Sequence, residues 1–154
     1  MATVNIDPVS TVSSDWATQG GGDAHVELGN FAFGSNSITS VRHYIRGYKW
    51  NTRSGTTDVQ VILENSSGAA LYTEDHTLAV NGYDPQNFYG TARAYSSGTT
   101  DWVESDITGL RLNINTSPED PDGNSRARVV KAYVEVTYTA AVQADNATFF
   151  GTNF

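Results

Sequence analysis

A strict alternation of apolar and polar residues near the end of the chain constrains the fold more than any other feature. Between residues 130 and 138 every second position is apolar or aromatic: Val130, Ala132, Val134, Val136 and Tyr138. Successive side chains of a β-strand point to opposite faces, so this pattern predicts a long strand with those residues on its buried face. The positions between them, Lys131, Tyr133, Glu135 and Thr137, are predicted on the opposite face.

The same pattern predicts further strands. Segment 58–64 has Val59, Val61 and Leu63 on one face, and segment 109–115 has Leu110, Leu112 and Ile114. A fourth strand is predicted over residues 39–50, where two sets of side chains compete for the inner face: Val41, His43 and Ile45 against Tyr44, Tyr48 and Trp50. Shorter candidates, bounded by Gly, Asn, Ser or Pro, are residues 4–6, 25–28, 70–78 and 88–95.

About eight short strands without a helical pattern between them favour an all-β fold. We expect an antiparallel two-sheet β-sandwich of jelly-roll type with almost no helix. The 154 residues suit one core. We assign residues 1–139 to the sandwich and residues 140–154 to an extended C-terminal tail, because the alternation stops there.

The tail carries three aromatic residues, Phe149, Phe150 and Phe154, among small polar ones. Burial of one such ring stabilises a segment by roughly 1.5–3 kcal/mol. The tail is therefore predicted to dock, either on a neighbouring subunit or back onto its own domain.

Charge and composition exclude several classes of partner. The formal net charge is -8, which repels nucleic acid and anionic membranes, so neither is expected as a partner. The chain has no cysteine, which excludes disulfides and thiolate metal sites. Neither a signal peptide nor a membrane-spanning segment is predicted from the apolar pattern.

Strand 39–50 carries the most distinctive surface pattern. If Tyr44, Tyr48 and Trp50 occupy its outer face, then Arg42 and Arg46 share that face by the same parity. Tyr, Trp and Arg are enriched at protein interfaces, and aromatic stripes also build glycan-binding platforms. The pattern predicts a contact surface for either a protein or a glycan.

Catalytic motifs are not evident, and we expect no enzyme activity. His25, His43 and His76 lie far apart in sequence without the close pairing of a metal motif, so each is predicted to be a packed or hydrogen-bonded residue. No serine lies in a Gly-x-Ser-x-Gly turn.

One loop resembles part of a calcium site. Asp120, Asp122 and Asn124 reproduce the spacing of the first oxygen ligands in an EF-hand loop. Glycine then follows at the fourth position instead of the sixth, and Lys131 stands where a bidentate glutamate is required. A surface hairpin is expected there, with calcium as the alternative and no other cofactor.

Several segments together resemble a jelly-roll, concanavalin-like domain of tailed-phage and prophage virion proteins. They are Trp16 with Thr18 and the glycines that follow, and segments 38–45, 101–112 and 128–138. The resemblance covers about residues 3–139 and brings no catalytic residues.

The resemblance implies a module that decorates, cements or adheres on a virus particle. We expect a capsid decoration or cement protein on the particle surface, assembling as a homo-oligomer such as a trimer and contacting a major capsid protein or another virion protein. The alternative is a carbohydrate-binding module or tail-fibre-type adhesin.

Overall fold

The computed structural model describes residues 1–6, 23–29, 32–50, 57–78, 84–116 and 126–140, which form ten strands and one helical turn. The first five strands are β1 (Ala2–Ile6), β2 (Asp23–Glu27), β3 (Ser37–Trp50), β4 (Thr57–Glu64) and β5 (Ala70–Leu78). The remaining elements are β6 (Gln86–Tyr89), β7 (Tyr95–Ser97), β8 (Thr100–Asp101), α1 (Glu104–Ile107), β9 (Arg111–Thr116) and β10 (Arg126–Thr139).

Eight of these strands form two antiparallel sheets. The first sheet has the order β1-β10-β3-β6 and the second the order β2-β9-β4-β5, while β7 and β8 form a small hairpin. The first strand pairs with the last, and among these eight strands only the β4 to β5 connection stays within one sheet. This is the arrangement of a jelly roll, so the predicted fold class is confirmed.

The core lies between the two sheets and is built by the predicted alternation. Val59, Val61 and Leu63 of β4 are completely buried, and Val134 and Val136 of β10 meet them from the first sheet. Leu110, Leu112 and Ile114 are also buried, as predicted. Each of these strands gives its other face to solvent or to neighbouring polar side chains.

The prediction for Val130 is wrong. The pairing of β10 with β3 shifts register between Val129 and Lys131, so one extra residue is inserted in β10. A bulge reverses the parity of the strand before it. Val129 is consequently the core residue, with 1% of its surface exposed, while Val130 is 37% exposed.

β3 resolves the competition between its two faces. Val41, His43 and Ile45 are completely buried between the sheets, so the tyrosines of β3 lie on the opposite face. The segment after β6 continues alongside β3: the Gly90 N–H donates to the His43 carbonyl at 2.9 Å, and Val41 and Arg93 form an isolated bridge.

The bounds of the shorter predicted strands agree with the structure to different degrees. β5 has the predicted bounds, whereas the candidate over residues 88–95 divides into β6 and β7. In the described ranges the helical structure is the single turn α1, which is far too short to cross a membrane.

Candidate functional site

The outer face of the first sheet contains the residues that the sequence placed together. Arg42, Tyr44, Arg46 and Tyr48 alternate with the buried residues of β3 and therefore share its outer face, which is one of the two arrangements that the sequence left open. Trp50 ends β3, and its side chain lies outside the described part of the structure.

Three tyrosines form a cluster on this face, which we call the tyrosine cluster: Tyr44, Tyr89 and Tyr133. Tyr44 stacks on Tyr133 with ring centroids 4.3 Å apart, and its centroid lies 5.0 Å from that of Tyr89. The Tyr44 hydroxyl donates to Asn87 Oδ1 at 2.7 Å. Tyr44 and Tyr133 are almost buried, whereas Tyr89 on the edge strand β6 is 49% exposed. Tyr89 is thus the ring of the cluster most open to a partner.

Charged side chains border the cluster. The Arg42 Nε donates to Glu135 Oε1 at 2.6 Å, and its guanidinium carbon lies 4.7 Å from the Tyr89 ring centroid. The Lys131 ammonium lies 5.1 Å from the Tyr133 ring centroid. Arg46 is exposed beside them.

We call this outer surface the basic face. Its described charged residues are four basic side chains and one acidic: Arg42, Arg46, Arg128, Lys131 and Glu135. Arg128 joins the face through a hydrogen bond from its Nη1 to the Tyr48 hydroxyl at 3.4 Å. A basic surface is notable on a chain whose net charge is -8.

The outer face of the second sheet has the opposite charge, and we call it the acidic face. Asp58 and Asp75 are exposed there, held by Thr77 and Gln60, respectively. Glu64 accepts a hydrogen bond from Asn113 Nδ2 at 3.1 Å on the same face. The described charged side chains are three acidic, Asp58, Glu64 and Asp75, and one basic, Arg111.

Burial controls the ionisation of the tyrosine cluster. Desolvation, reinforced by the neighbouring Tyr89, raises the pKa of Tyr44 above its ordinary value, with Arg46 opposing the shift. Desolvation together with Tyr89, Tyr44 and Glu135 raises the pKa of Tyr133. The two rings therefore remain neutral to a higher pH than an unperturbed tyrosine.

The other predicted site residues lie outside the described residues. These are the tail residues Phe149, Phe150 and Phe154, and the calcium-loop candidates Asp120, Asp122 and Asn124. The docking tail and the calcium loop stay predictions.

Each histidine was predicted to be a packed or hydrogen-bonded residue, and two of the three contact each other. His43 of β3 and His76 of β5 meet across the sandwich, beside Glu74. One feature of the sequence indicates part of this cluster: Glu74 and His76 are two residues apart and so share one face of a strand. The sequence pattern does not show that β5 faces β3, because the position of β5 depends on the order of the strands in the two sheets.

Comparison with known proteins gives only distant likenesses. No protein-family model and no curated protein matches the chain. Structures of infectious bursal disease virus, Gt and Gx strains, share 12% and 15% identity with it at TM-scores of 0.46 and 0.47, covering 93% of this chain in both cases. The arabinose-bound α-L-arabinofuranosidase MgGH51 shares 11% identity at a TM-score of 0.45, covering 88% of this chain. The chain spans between 22% and 33% of the length of these proteins.

Proposed function

We propose that the protein is a virion structural protein, of the capsid decoration or cement type, that acts by assembling and not by catalysis. The observation that carries this proposal is the charge separation between the outer faces of its two sheets. The basic face with its tyrosine cluster lies on one side of the sandwich, and the acidic face lies on the other.

The occupant that we assign to the basic face is the acidic face of a second copy. Complementary potentials favour such contacts and fix their orientation, and Tyr and Arg are, with Trp, enriched among the residues that contribute most to binding at interfaces. The contact is heterologous, since two different surfaces meet, and heterologous contacts close into rings or continue as open arrays. Both outcomes suit a protein that covers a particle as a trimer or lattice and also contacts a capsid protein. Repetition on a lattice strengthens individually weak contacts.

Charge reversal on each face tests this arrangement. Arg46→Glu alters the basic face and Asp75→Lys the acidic face, and both residues are exposed, so the fold should tolerate them. Each variant alone should associate more weakly than the wild type in sedimentation velocity. An equimolar mixture should recover a dimer, because the unaltered acidic face of the first variant can bind the unaltered basic face of the second.

The single variant Asp75→Lys distinguishes this contact from a symmetric one. If two basic faces met each other, Asp75→Lys alone would have no effect on association. Tyr95→Ala is a suitable control, since Tyr95 is 48% exposed and lies on the β7–β8 hairpin, which belongs to neither of the two sheets. A wild-type protein that stays monomeric at high concentration, without a particle, would overturn self-association.

A carbohydrate-binding adhesin is the second candidate. It is favoured by the exposed Tyr89 ring with Arg42 beside it, which offers a sugar both a stacking surface and a hydrogen-bond donor. Glycan-array binding that disappears in Tyr89→Ala or Trp50→Ala but not in Tyr95→Ala would favour this function over assembly.

A further inference from the structure

Two histidines and one carboxylate converge at the open edge of the sandwich. β5 is the edge strand of the second sheet, and its Tyr72, Glu74 and His76 point toward β3 of the first sheet. His43 of β3 is completely buried at this place, while Glu74 and His76 are partly open to solvent. One potential ligand atom from each of His43, Glu74 and His76 lies within 4.8 Å of the others.

The two imidazoles approach each other closely through nitrogen atoms. Nε2 of His43 lies 2.6 Å from Nε2 of His76 and 4.0 Å from Oε2 of Glu74. The nitrogen–nitrogen distance is shorter than the roughly 2.7–3.2 Å of an N–H···O hydrogen bond. The imidazole Nδ1 of His43 is buried and has no hydrogen-bond partner among the described residues. A hydrogen bond between the two rings therefore leaves this buried pair incompletely satisfied.

Surrounding groups hold the carboxylate in position. Glu74 Oε2 accepts the backbone N–H of Thr91 at 2.8 Å, and Glu74 Oε1 accepts from Arg93 Nη2 at 3.0 Å. His76 packs against Phe88, with ring centroids 5.5 Å apart. Side chains that orient ligands in this way are typical of metal centres.

Gly90 lets the backbone approach the cluster. A Cβ atom at this position would lie 2.5 Å from His43 Nδ1 and 2.8 Å from Glu74 Oε2, which are distances that real Cβ atoms do not show. The backbone at Gly90 thus closes one side of the cluster and leaves the side of Glu74 and His76 open to solvent.

We propose that His43, Glu74 and His76 bind a divalent transition-metal ion of the zinc class, which ties the edge of the second sheet to the first. Two histidines and one carboxylate are a common ligand set for such ions, with an open position for water. Ligand bonds of about 2.0–2.1 Å require donor atoms about 2.9–3.4 Å apart. To reach this range, the distance of 2.6 Å between the two Nε2 atoms must lengthen and the distance of 4.0 Å between His43 Nε2 and Glu74 Oε2 must shorten, through rotations of the side chains.

The pKa shifts of the three groups agree with this proposal, which rests on the geometry described above. Burial, assisted by His76 and Arg93 and opposed by Glu74, lowers the pKa of His43 to about 4. Burial also lowers the pKa of His76. Burial works to raise the pKa of Glu74, but the hydrogen bonds from Thr91 and the charges of His43 and Arg93 lower it overall.

Zinc titration of the full chain, stripped with a chelator and dialysed, tests the site. Calorimetry should show one Zn²⁺ per chain, and saturation at roughly 100 times Kd should raise the melting temperature by about 5–10 °C. Co²⁺ in place of Zn²⁺ should give a visible absorption band from nitrogen and oxygen ligation.

His76→Ala and Glu74→Gln should weaken Zn²⁺ binding by at least about tenfold, since even outer-shell changes cost that much. Circular dichroism verifies that both variants fold. His25→Ala is the matched control, because His25 lies on β2 and on neither strand of the cluster; its affinity should equal that of the wild type. Absence of stoichiometric binding, or equal binding by all three variants as expected for ions scattered on an acidic surface, would overturn the proposal.

Discussion

The rings of Tyr44 and Tyr133 stack across the β3–β10 pair with their centroids 4.3 Å apart, at an interplanar angle of 21°. The two residues are directly paired in the register of the sheet, so their side chains leave the same face side by side. Both are nearly buried although they lie outside the core. The stack therefore extends the packed interior of the protein onto the outer face of the first sheet.

Removing one ring from this stack should destabilise the fold. Tyr133→Ala uncovers Tyr44 and loses both the buried area and the ring contact, which together should cost about 2–4 kcal/mol. Urea unfolding measures the change. Tyr95→Ala removes a ring that is 48% exposed and should change the stability by about 0.5 kcal/mol or less. Equal losses in the two variants would contradict the packing role of the stack.

The same burial predicts how the protein responds to alkali. Because the pKa values of Tyr44 and Tyr133 are raised in the folded state, the unfolded chain loses these protons first, from about pH 10 upward. The stabilisation from keeping them neutral is fully present below that pH and is lost as the pH rises through the folded-state pKa values. Ultraviolet titration of tyrosinate should show a late-ionising group of tyrosines that merges with the main group in urea. Tyr133→Phe should shrink the late group.

The alternation of β4, β9 and β10 was sufficient to predict the sandwich and most of its core, because a repeat of two residues is the repeat of side chains on one face of a β-strand. The prediction was wrong at Val130, where a bulge changes which residues face inward. Nothing in the residue types of this segment indicates the bulge. On β3 the alternation left two sets of side chains as candidates for the inner face, and only the structure shows that Val41, His43 and Ile45 are the buried set. The meeting of His43 with His76 was not predictable, since it requires knowing that β5 of the second sheet lies opposite β3 of the first, and strand order is not contained in local periodicity.

A methyl group at Gly90 should disturb the histidine cluster specifically. Gly90→Ala places a Cβ against the His43 ring and Glu74 Oε2, and overpacking of this kind costs about 1–3 kcal/mol. Zinc affinity should fall together with stability. In a His43→Ala background the ring is gone, so the added methyl should cost much less, and a double-mutant cycle measures the difference. A penalty that stays the same in both backgrounds would show that Gly90 is needed for another reason.

Association through oppositely charged faces should depend strongly on salt. The screening length falls from about 8 Å at 0.15 M ionic strength to about 3 Å at 1 M. Sedimentation velocity across this range should show the oligomer dissociating as salt rises, with Arg46→Glu already dissociated at low salt. Association that strengthens with salt would indicate that apolar burial dominates, and would direct attention from the charged faces to the tail.

Deletion of residues 144–154 tests that tail, which lies outside the described residues. If Phe149, Phe150 and Phe154 dock on a neighbouring subunit, the shortened chain should keep its circular dichroism and melting temperature but associate more weakly or fail to join particles. A substitution of all three by serine is the matched control for chain length and should behave in the same way. If the rings pack on their own domain instead, the deletion should lower the melting temperature while association stays unchanged, because each buried ring stabilises the chain that buries it by roughly 1.5–3 kcal/mol.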